Sequence, residues 1–255
     1  MSQPILSAKG IRKAFGGLCA LGGVDIEVSP RMMTMLIGPN GSGKTTFLNV
    51  VSGFYKPDGG NILFEGKEIT GMPPERISKM GLVRTFQVPS PFQKLSVLEN
   101  LLIAGDRNPG ESFLWAPLRR AWINREREIY ETAMRNLELL NLSHLKDEPA
   151  GTLSGGQLKL LEVGRALMTG AKMIMMDEPA SGLNPTLAHK VFEHLEKVKK
   201  EAGLTFLIIE HRLDIALQYV DYVYAMANGT VISRGKGEEV MSDPRVIEGY
   251  LGSAE

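Results

Sequence analysis

Residues 33–51 read MTMLIGPNGSGKTTFLNVV, and this stretch decides the fold. An apolar run precedes a glycine-rich loop, and apolar residues at helical spacing follow it. Within the loop, Gly38, Gly43, Lys44 and Thr45 match the pattern of two spaced glycines before Lys and Ser or Thr. In such a loop the backbone N–H groups surround phosphates, the lysine reaches the β- and γ-phosphates, and the hydroxyl ligates Mg²⁺. The stretch therefore predicts a strand, a phosphate-binding loop for a nucleotide, and a helix.

A second apolar run ends in two carboxylates. Residues 173–178 read MIMMDE, which is typical of a short buried strand with acids at its carboxyl end. Because ligands of open α/β sheets bind at that edge, we expect Asp177 to hold a metal and Glu178 to orient and deprotonate an attacking water. A core strand that ends in two solvated acids is the alternative, and the phosphate loop favours the functional interpretation.

The chain contains three successive kinds of pattern. From residue 5 to about residue 64, short β-rich segments alternate with Gly, Pro and Asp-Gly turn signals, interrupted by the helix after Lys44. Residues 88–153 space their apolar side chains at three and four, which predicts a helical insertion. After residue 155, helical and strand patterns alternate. This alternation predicts a parallel sheet covered on both faces.

Composition limits the classes of function. The 255-residue chain carries 29 basic and 29 acidic side chains, a balance that does not favour a protein coating nucleic acid or an anionic membrane. Cys19 is the single cysteine, so no intramolecular disulfide can form, and we expect a small buried side chain in a reducing compartment. The N-terminus does not read as a secretory signal, and the apolar runs stop short of the ~18 residues of a membrane span. We therefore expect a cytoplasmic protein whose membrane contacts come through a partner.

Residues 153–157 read LSGGQ and open a helix, where Ser154 is the predicted N-cap. Together with the phosphate loop and the MMDE strand, in this order, the motif resembles the nucleotide-binding subunit of ABC transporters over nearly the whole chain. The resemblance implies an α/β fold, a P-loop NTPase with an antiparallel β subdomain and an inserted α-helical subdomain. It also implies one ABC ATPase domain over residues 1–255, with the core plus β subdomain at 1–87 and 159–240, the helical subdomain at 88–158 and a tail at 241–255.

The same resemblance implies why one chain carries two phosphate-binding motifs. In ABC ATPases two nucleotide-binding domains meet head to tail, and the LSGGQ of one caps the ATP held by the phosphate loop of the other. The expected cofactors are ATP and Mg²⁺. The expected nucleotide-binding residues are Phe15, Gly38, Pro39, Asn40, Gly41, Ser42, Gly43, Lys44, Thr45, Thr46, Ser154, Gly155, Gly156 and Gln157, and the expected metal-binding residues are Thr45, Gln87 and Asp177.

Three further positions take their expected roles from the resemblance. Gln87, in RTFQ, matches the glutamine that reports Mg²⁺ and water occupancy to the helical subdomain. His211, after LTFLIIE, matches the histidine that contacts the γ-phosphate and holds Glu178 in place, so the expected catalytic residues are Lys44, Gln87, Glu178 and His211. Phe15 stands where the family has an aromatic that stacks on adenine. Taken alone, Gln87 would be a surface glutamine, His211 a capping or packing residue, and Phe15 a core side chain.

Residues 181–184 read SGLN, where the family often has SALD. Asn184 lacks the negative charge that an aspartate would bring to the expected dimer interface. Followed by Pro185, it is instead a good helix N-cap with proline at the first helical position.

Three segments narrow the resemblance to the LivG-like ATP-binding subunits of branched-chain amino-acid importers. They are GLVRTFQ, the insertion NPGESFLWAPLRRAWINREREIYE and the ending RVIEGYLG. This group implies a second ATP-binding subunit, identical or related, integral membrane permease subunits and, indirectly, an extracytoplasmic solute-binding protein. It implies no nucleic-acid partner, and a location at the inner face of the cell membrane through the permeases. The ATP-binding subunits of transporters for urea, short amides or lipopolysaccharide export share much of this sequence, and these functions remain alternatives.

Functions outside transport fit the sequence less well. A soluble ABC ATPase acting on ribosomes or DNA usually has two cassettes in one chain or long coiled coils, and this chain has one cassette and no sustained heptads. A kinase of small metabolites would share the phosphate loop, but the LSGGQ motif has no role in such an enzyme. A nucleotide-gated scaffold with little hydrolysis is disfavoured by Glu178 and His211, and a steady-state ATPase assay discriminates it.

Overall fold

The computed structural model describes residues 3–85, 90–105 and 119–251. Its N-terminal part forms an antiparallel four-stranded sheet with the order β2-β1-β4-β5. Its strands are β1 (Leu6–Phe15), β2 (Leu18–Val28), β4 (Gly59–Phe64) and β5 (Lys67–Glu68). In β2, buried and exposed side chains alternate toward the carboxyl end, as expected for a strand with one covered face. The predicted antiparallel β subdomain is therefore confirmed.

The second sheet has six strands with the order β10-β9-β3-β8-β7-β6. Its strands are β3 (Met33–Ile37), β6 (Leu82–Arg84), β7 (Met173–Asp177), β8 (Thr205–Ile209), β9 (Tyr222–Ala227) and β10 (Thr230–Gly235). All neighbouring strands are parallel except β10, which pairs antiparallel with β9 at the edge. All residues of β3, β7 and β8 are buried, as expected for continuous apolar strands covered on both faces. The prediction of a parallel sheet is confirmed.

The described helices include the predicted helix after Lys44, helices within the predicted insertion and helices that alternate with strands after residue 155. A short helix at Pro74–Lys79 is an addition that the sequence pattern does not predict. The helices are α1 (Lys44–Val51), α2 (Pro74–Lys79), α3 (Val97–Ala104), α4 (Arg119–Leu139), α5 (Gly155–Met168), α6 (Pro185–Ala202), α7 (Leu213–Ala216), α8 (Gly237–Met241) and α9 (Pro244–Leu251). Short 3₁₀ helices at Ser143–Leu145 and Ala150–Thr152 lie between α4 and α5. Asn184 caps α6 by accepting a hydrogen bond from the amide of Leu187 at 2.9 Å, and Pro185 is the first helical residue, as predicted.

Two apolar cores lie on opposite faces of the parallel sheet. On one face, α1 is enclosed between the two sheets, with Phe47 and Val51 buried against Ile26 and Leu207. On the other face, the sheet packs against the apolar sides of α3, α4, α5 and α6. The methionines of β3 and β7 are buried in these cores and act as packing residues. The loop after β3 and the carboxylates at the end of β7 therefore extend from strands that are packed on both faces.

The prediction for Cys19 is wrong. The residue is exposed, and its thiol donates a hydrogen bond to the carbonyl oxygen of Leu21 at 3.4 Å. It lies near the start of β2, where Leu18 is also exposed, before the alternation that buries Leu21 and Val24 begins. Within residues 3–85, 90–105 and 119–251, no helix combines the length and the apolar character needed to cross a membrane.

Candidate functional site

The loop between β3 and α1 has a backbone that only glycine satisfies at two points. Gly38 has φ 147° and Gly43 has φ 100°, values that L side chains rarely adopt. A Cβ on Gly38 would overlap the carbonyl oxygen of Met226, and one on Gly43 would lie 2.6 Å from the carbonyl oxygen of Ala20. The loop thus passes directly against β9 and β2. The spacing of these glycines in the sequence follows from this close approach.

Lys44 is the first residue of α1, and its side chain turns back into the loop. The ammonium donates to the carbonyl oxygens of Gly38 and Pro39, both at 2.8 Å, and lies 3.3 Å from the hydroxyl of Ser42. Burial lowers the pKa of Lys44, and the carboxylates of Asp177 and Glu178 oppose that shift. The ammonium is therefore held by the carbonyl groups of the loop, within electrostatic reach of two carboxylates.

Asp177 ends β7 and is held by a cation from the neighbouring strand. Nη2 of Arg84, at the end of β6, lies 3.4 Å from Oδ2 of Asp177, and Nη1 donates to Oδ1 of Asn49 on α1 at 2.6 Å. Burial is the main cause that raises the pKa of Asp177, and Glu178 adds to it, while Arg84 and Lys44 act in the opposite direction. The carboxylate is thus fixed in orientation and only slightly accessible to solvent.

Glu178 is positioned by an unusual backbone conformation. Its φ is 51°, a left-handed value that is uncommon for a residue other than glycine and is found where a site fixes a side chain against local strain. Its amide donates to the carbonyl oxygen of Ile209 at 2.9 Å. Oε1 of Glu178 lies 3.3 Å from Nε2 of His211, which follows the adjacent strand β8. The two strand ends therefore bring these two side chains together.

A cleft of about 310 Å³ joins the phosphate loop to these residues and to the end of β1. Its lining includes Phe15, Asn40, Thr45, Thr46, Glu178 and His211. Phe15 is 42% exposed, so the interpretation of it as a core side chain is wrong. Its ring meets the edge of Tyr55, with the ring centroids 5.2 Å apart, and the Lys13 ammonium lies 5.4 Å from its centroid. An exposed, laterally supported aromatic surface thus borders the cleft.

The LSGGQ motif lies at a different place on the surface. Ser154 is the N-cap of α5, and Oε1 of Gln157 accepts hydrogen bonds from its amide at 2.8 Å and its hydroxyl at 2.9 Å. Together with Gly156 they line a separate cavity of about 250 Å³ between α5 and α6. A Cβ on Gly155 would meet the Leu183 side chain at 3.0 Å. The motif is therefore accessible at a helix N-terminus, apart from the cleft beside Lys44.

The structure brings together most of the residues that the sequence predicts for one nucleotide site. The phosphate loop, Phe15, Glu178 and His211 share the cleft, and Asp177 ends the strand next to it. Gln87 lies outside the described residues. Sequence reasoning missed Arg84 and Glu210. Their signals were present, since Arg84 belongs to RTFQ and Glu210 is a carboxylate directly before His211, at the end of an apolar strand.

Comparison with known proteins adds a family match and close relatives. The ABC transporter family model matches residues 21–181. The "Probable branched-chain amino acid transport ATP-binding protein LivG" of Archaeoglobus fulgidus is 53% identical over 249 residues, which cover 98% of this chain and 96% of that protein. The protein of the same description in Methanocaldococcus jannaschii is 53% identical over 255 residues, or 98% of each chain. A crystal structure of an ATP-binding cassette of an ABC transporter in its ADP conformation has 50% sequence identity and a TM-score of 0.85, and the match covers 98% of this chain and 100% of that one.

Proposed function

This chain belongs to the ABC transporter family, and we propose that it powers the import of branched-chain amino acids. It is an ATPase whose hydrolysis of ATP is coupled to transport across a membrane. The observation that carries the chemistry is the meeting of Glu178 and His211 in the cleft beside the phosphate loop. The observation that supports the solute class is the full-length similarity to proteins described as LivG.

Catalysis in this proposal is mostly positioning and electrostatic stabilisation, as in other phosphoryl transfers. The backbone N–H groups of residues 40–46 and the Lys44 ammonium bind the phosphates. Glu178 accepts a proton from the attacking water. His211 holds Glu178 in place, and His211 also contacts the γ-phosphate. Phe15 stacks on adenine. Gln87 is assigned to the metal and water by its place in the motif RTFQ.

The residues present fit Mg²⁺. Asp177 offers a carboxylate at a strand end, and Thr45 offers a hydroxyl at the first turn of α1, both of which are the oxygen donors that this ion prefers. When bound, Mg²⁺ neutralises charge on the β- and γ-phosphate oxygens. Before binding, Arg84 supplies the positive charge beside Asp177 and keeps this carboxylate oriented.

We propose that two nucleotide-binding subunits close head to tail on two ATP molecules. The separation of Ser154 from the cleft beside Lys44 supports this arrangement, because an exposed helix N-terminus with a serine and two glycines can bind the γ-phosphate of a partner's nucleotide. Permease subunits would hold the pair at the inner face of the membrane and an extracytoplasmic binding protein would deliver the solute. In the proposed division of the chain, residues 88–158 form the helical subdomain and residues 241–255 the tail.

The catalytic proposal is tested with Glu178→Gln. We expect kcat to fall by at least about 10²-fold, because a positioned general base contributes about 10²–10⁴-fold. ATP should still bind, so the variant should elute as an ATP-dependent dimer in size-exclusion chromatography. Turnover at the wild-type rate would remove Glu178 from the mechanism.

The transport proposal is tested by tagging the chain in its native cell and identifying what copurifies from gently solubilised membranes. Two multi-span subunits and a second ATPase would support an importer. The associated binding protein is then titrated with leucine, isoleucine, valine and urea, and binding of urea alone would replace the amino-acid assignment. Recovery only with ribosomes or DNA, from the soluble fraction, would contradict transport.

A further inference from the structure

Glu210 is a carboxylate in an unusual place. It follows β8 directly, precedes His211, and is only 1% exposed. Glutamate is almost never fully buried unless its charge is compensated by specific partners. The role of this side chain therefore depends on what its two oxygens contact.

Both oxygens of Glu210 accept hydrogen bonds from backbone amides. Oε1 accepts from the amide of Ala180 at 2.8 Å. Oε2 accepts from the amide of His211 at 2.8 Å and from that of Arg212 at 3.3 Å. Hydrogen bonds to an ionised acceptor are roughly twice as strong as neutral ones. One buried carboxylate thus joins the segment that follows β7 to the segment that follows β8.

The segment after β7, residues 179–184, leads from Glu178 to α6, and we call it the connecting loop. Glu210 holds it at Ala180, two residues after the proposed general base. Arg212 holds its other end, because Nη1 donates to the carbonyl oxygen of Leu183 at 3.0 Å. The backbone of Glu178 is itself bonded to Ile209, the residue before Glu210. Residues 209–212 therefore contact the connecting loop at both ends.

We infer that Glu210 is a positioning residue for ATP hydrolysis, which sets the distance between Glu178 and His211. This inference rests on the proposed catalytic roles of those two residues. Without the carboxylate, nothing else among the described hydrogen bonds joins the Ala180 amide to the amides of His211 and Arg212. The effect of Glu210 is thus expected on the chemical step and not on nucleotide binding, since its hydrogen bonds within the described residues go to Ala180, His211 and Arg212 and not to the phosphate loop or Phe15.

The charge of Glu210 matters as well as its shape. An ionised carboxylate only accepts hydrogen bonds, which suits three N–H groups that converge on it. A glutamine of the same size would direct its NH₂ group at one of these donors. Glu210 also contributes negative charge toward the buried Lys159 of α5, where it opposes the lowering of the lysine pKa by burial. Glutamine is therefore the informative replacement, because it changes charge and donor pattern at constant volume.

The test compares Glu210→Gln with wild type and with the matched variant Glu99→Gln. Glu99 also accepts a backbone hydrogen bond, from Ser96 at 2.7 Å, but it is exposed at the start of α3. For Glu210→Gln we expect kcat to fall by about 10- to 100-fold, the loss that a misplacement of order 1 Å produces. The Kd of a fluorescent ATP analogue should stay within about twofold of the wild-type value. For Glu99→Gln, both kcat and this Kd should stay within about twofold of wild type. A wild-type kcat for folded Glu210→Gln would overturn the inference.

A second measurement uses the wild-type chain and so does not depend on whether the variant folds. Hydrogen exchange resolved by NMR should show the amides of Ala180 and His211 protected, with similar opening free energies, because one side chain holds both. Fast exchange at either amide would overturn the inference. The Glu178→Gln result separates the two proposals. If Glu178→Gln stops hydrolysis while Glu210→Gln does not change kcat, the proposed mechanism stands and the role of Glu210 fails.

Discussion

Nε2 of His211 lies 3.3 Å from Oε1 of Glu178, although the two residues follow different strands. The strands β7 and β8 are parallel neighbours, and their register places Asp177 beside Ile209. Because neighbouring parallel strands end at the same edge of the sheet, the residues that follow these two strands lie next to each other. A proposed base and the group that orients it are delivered to the same edge without any long side chain having to cross the site.

We expect His211→Ala to lower kcat by about 10²-fold, the loss seen when one group that stabilises or orients the reacting atoms is removed. The Kd for ATP should change little, because the phosphate loop remains intact. Steady-state kinetics with ATP measure this. The matched control is His189→Ala on α6, whose imidazole bonds the Tyr219 hydroxyl at 3.1 Å, away from the cleft. Equal losses in both variants would mean that His211 acts only through stability.

Removal of the aromatic surface at Phe15 should weaken ATP binding. We expect Phe15→Ala to raise KM by about tenfold, at the low end of the ~1–3 kcal/mol that stacking of a base on an aromatic ring contributes. Phe15→Tyr should behave as wild type, because stacking accepts either ring. KM for ATP is compared for the three proteins. An unchanged KM in Phe15→Ala would remove the residue from the adenine site.

The phosphate loop offers a matched pair of glycine substitutions. Gly38→Ala should destabilise the protein by at least about 2 kcal/mol, since it adds a clash with the Met226 carbonyl to a φ of 147°. Gly41→Ala places its Cβ in open space at φ 80°, so only the ~1–2 kcal/mol of a left-handed alanine is expected. Thermal unfolding of both variants without nucleotide measures the difference. Equal Tm values would contradict the close approach of the loop to β9.

Asp58 makes the end of β1 sensitive to pH. The amide of Ala14 and, next, the Lys13 ammonium hold the pKa of Asp58 below its ordinary value of 3.8. Because the pKa is lower in the folded state, the stabilisation is present above that ordinary value and is lost as pH falls through the folded pKa. Asp58→Asn should therefore have a lower Tm than wild type at neutral pH. The difference should shrink in strongly acidic buffer, and a constant difference would assign it to shape and not to charge.

The sequence predicts the parts of the site that are local in the chain. The phosphate loop is recognisable because β3, the glycines and α1 are consecutive, and Asp177 with Glu178 because they end an apolar strand. The contacts of Glu210 and Arg84 depend instead on which strands are neighbours in the sheet. Apolar periodicity shows that a strand is buried but not which strand lies beside it. The exposure of Cys19 was missed for a similar reason, because only the register of β2 decides which side chains face the core.

The position of Ser154 outside the cleft beside Lys44 has a genetic consequence. In a head-to-tail pair, each composite site takes its phosphate loop from one chain and its LSGGQ from the other. A pair that joins a Lys44→Ala chain to a Ser154→Ala chain would collect both lesions in one site and leave the second site intact. When the pair consists of two copies of this chain, two inactive alleles of its gene should therefore complement each other when they are expressed together. In a pair with a related subunit, no such complementation is expected.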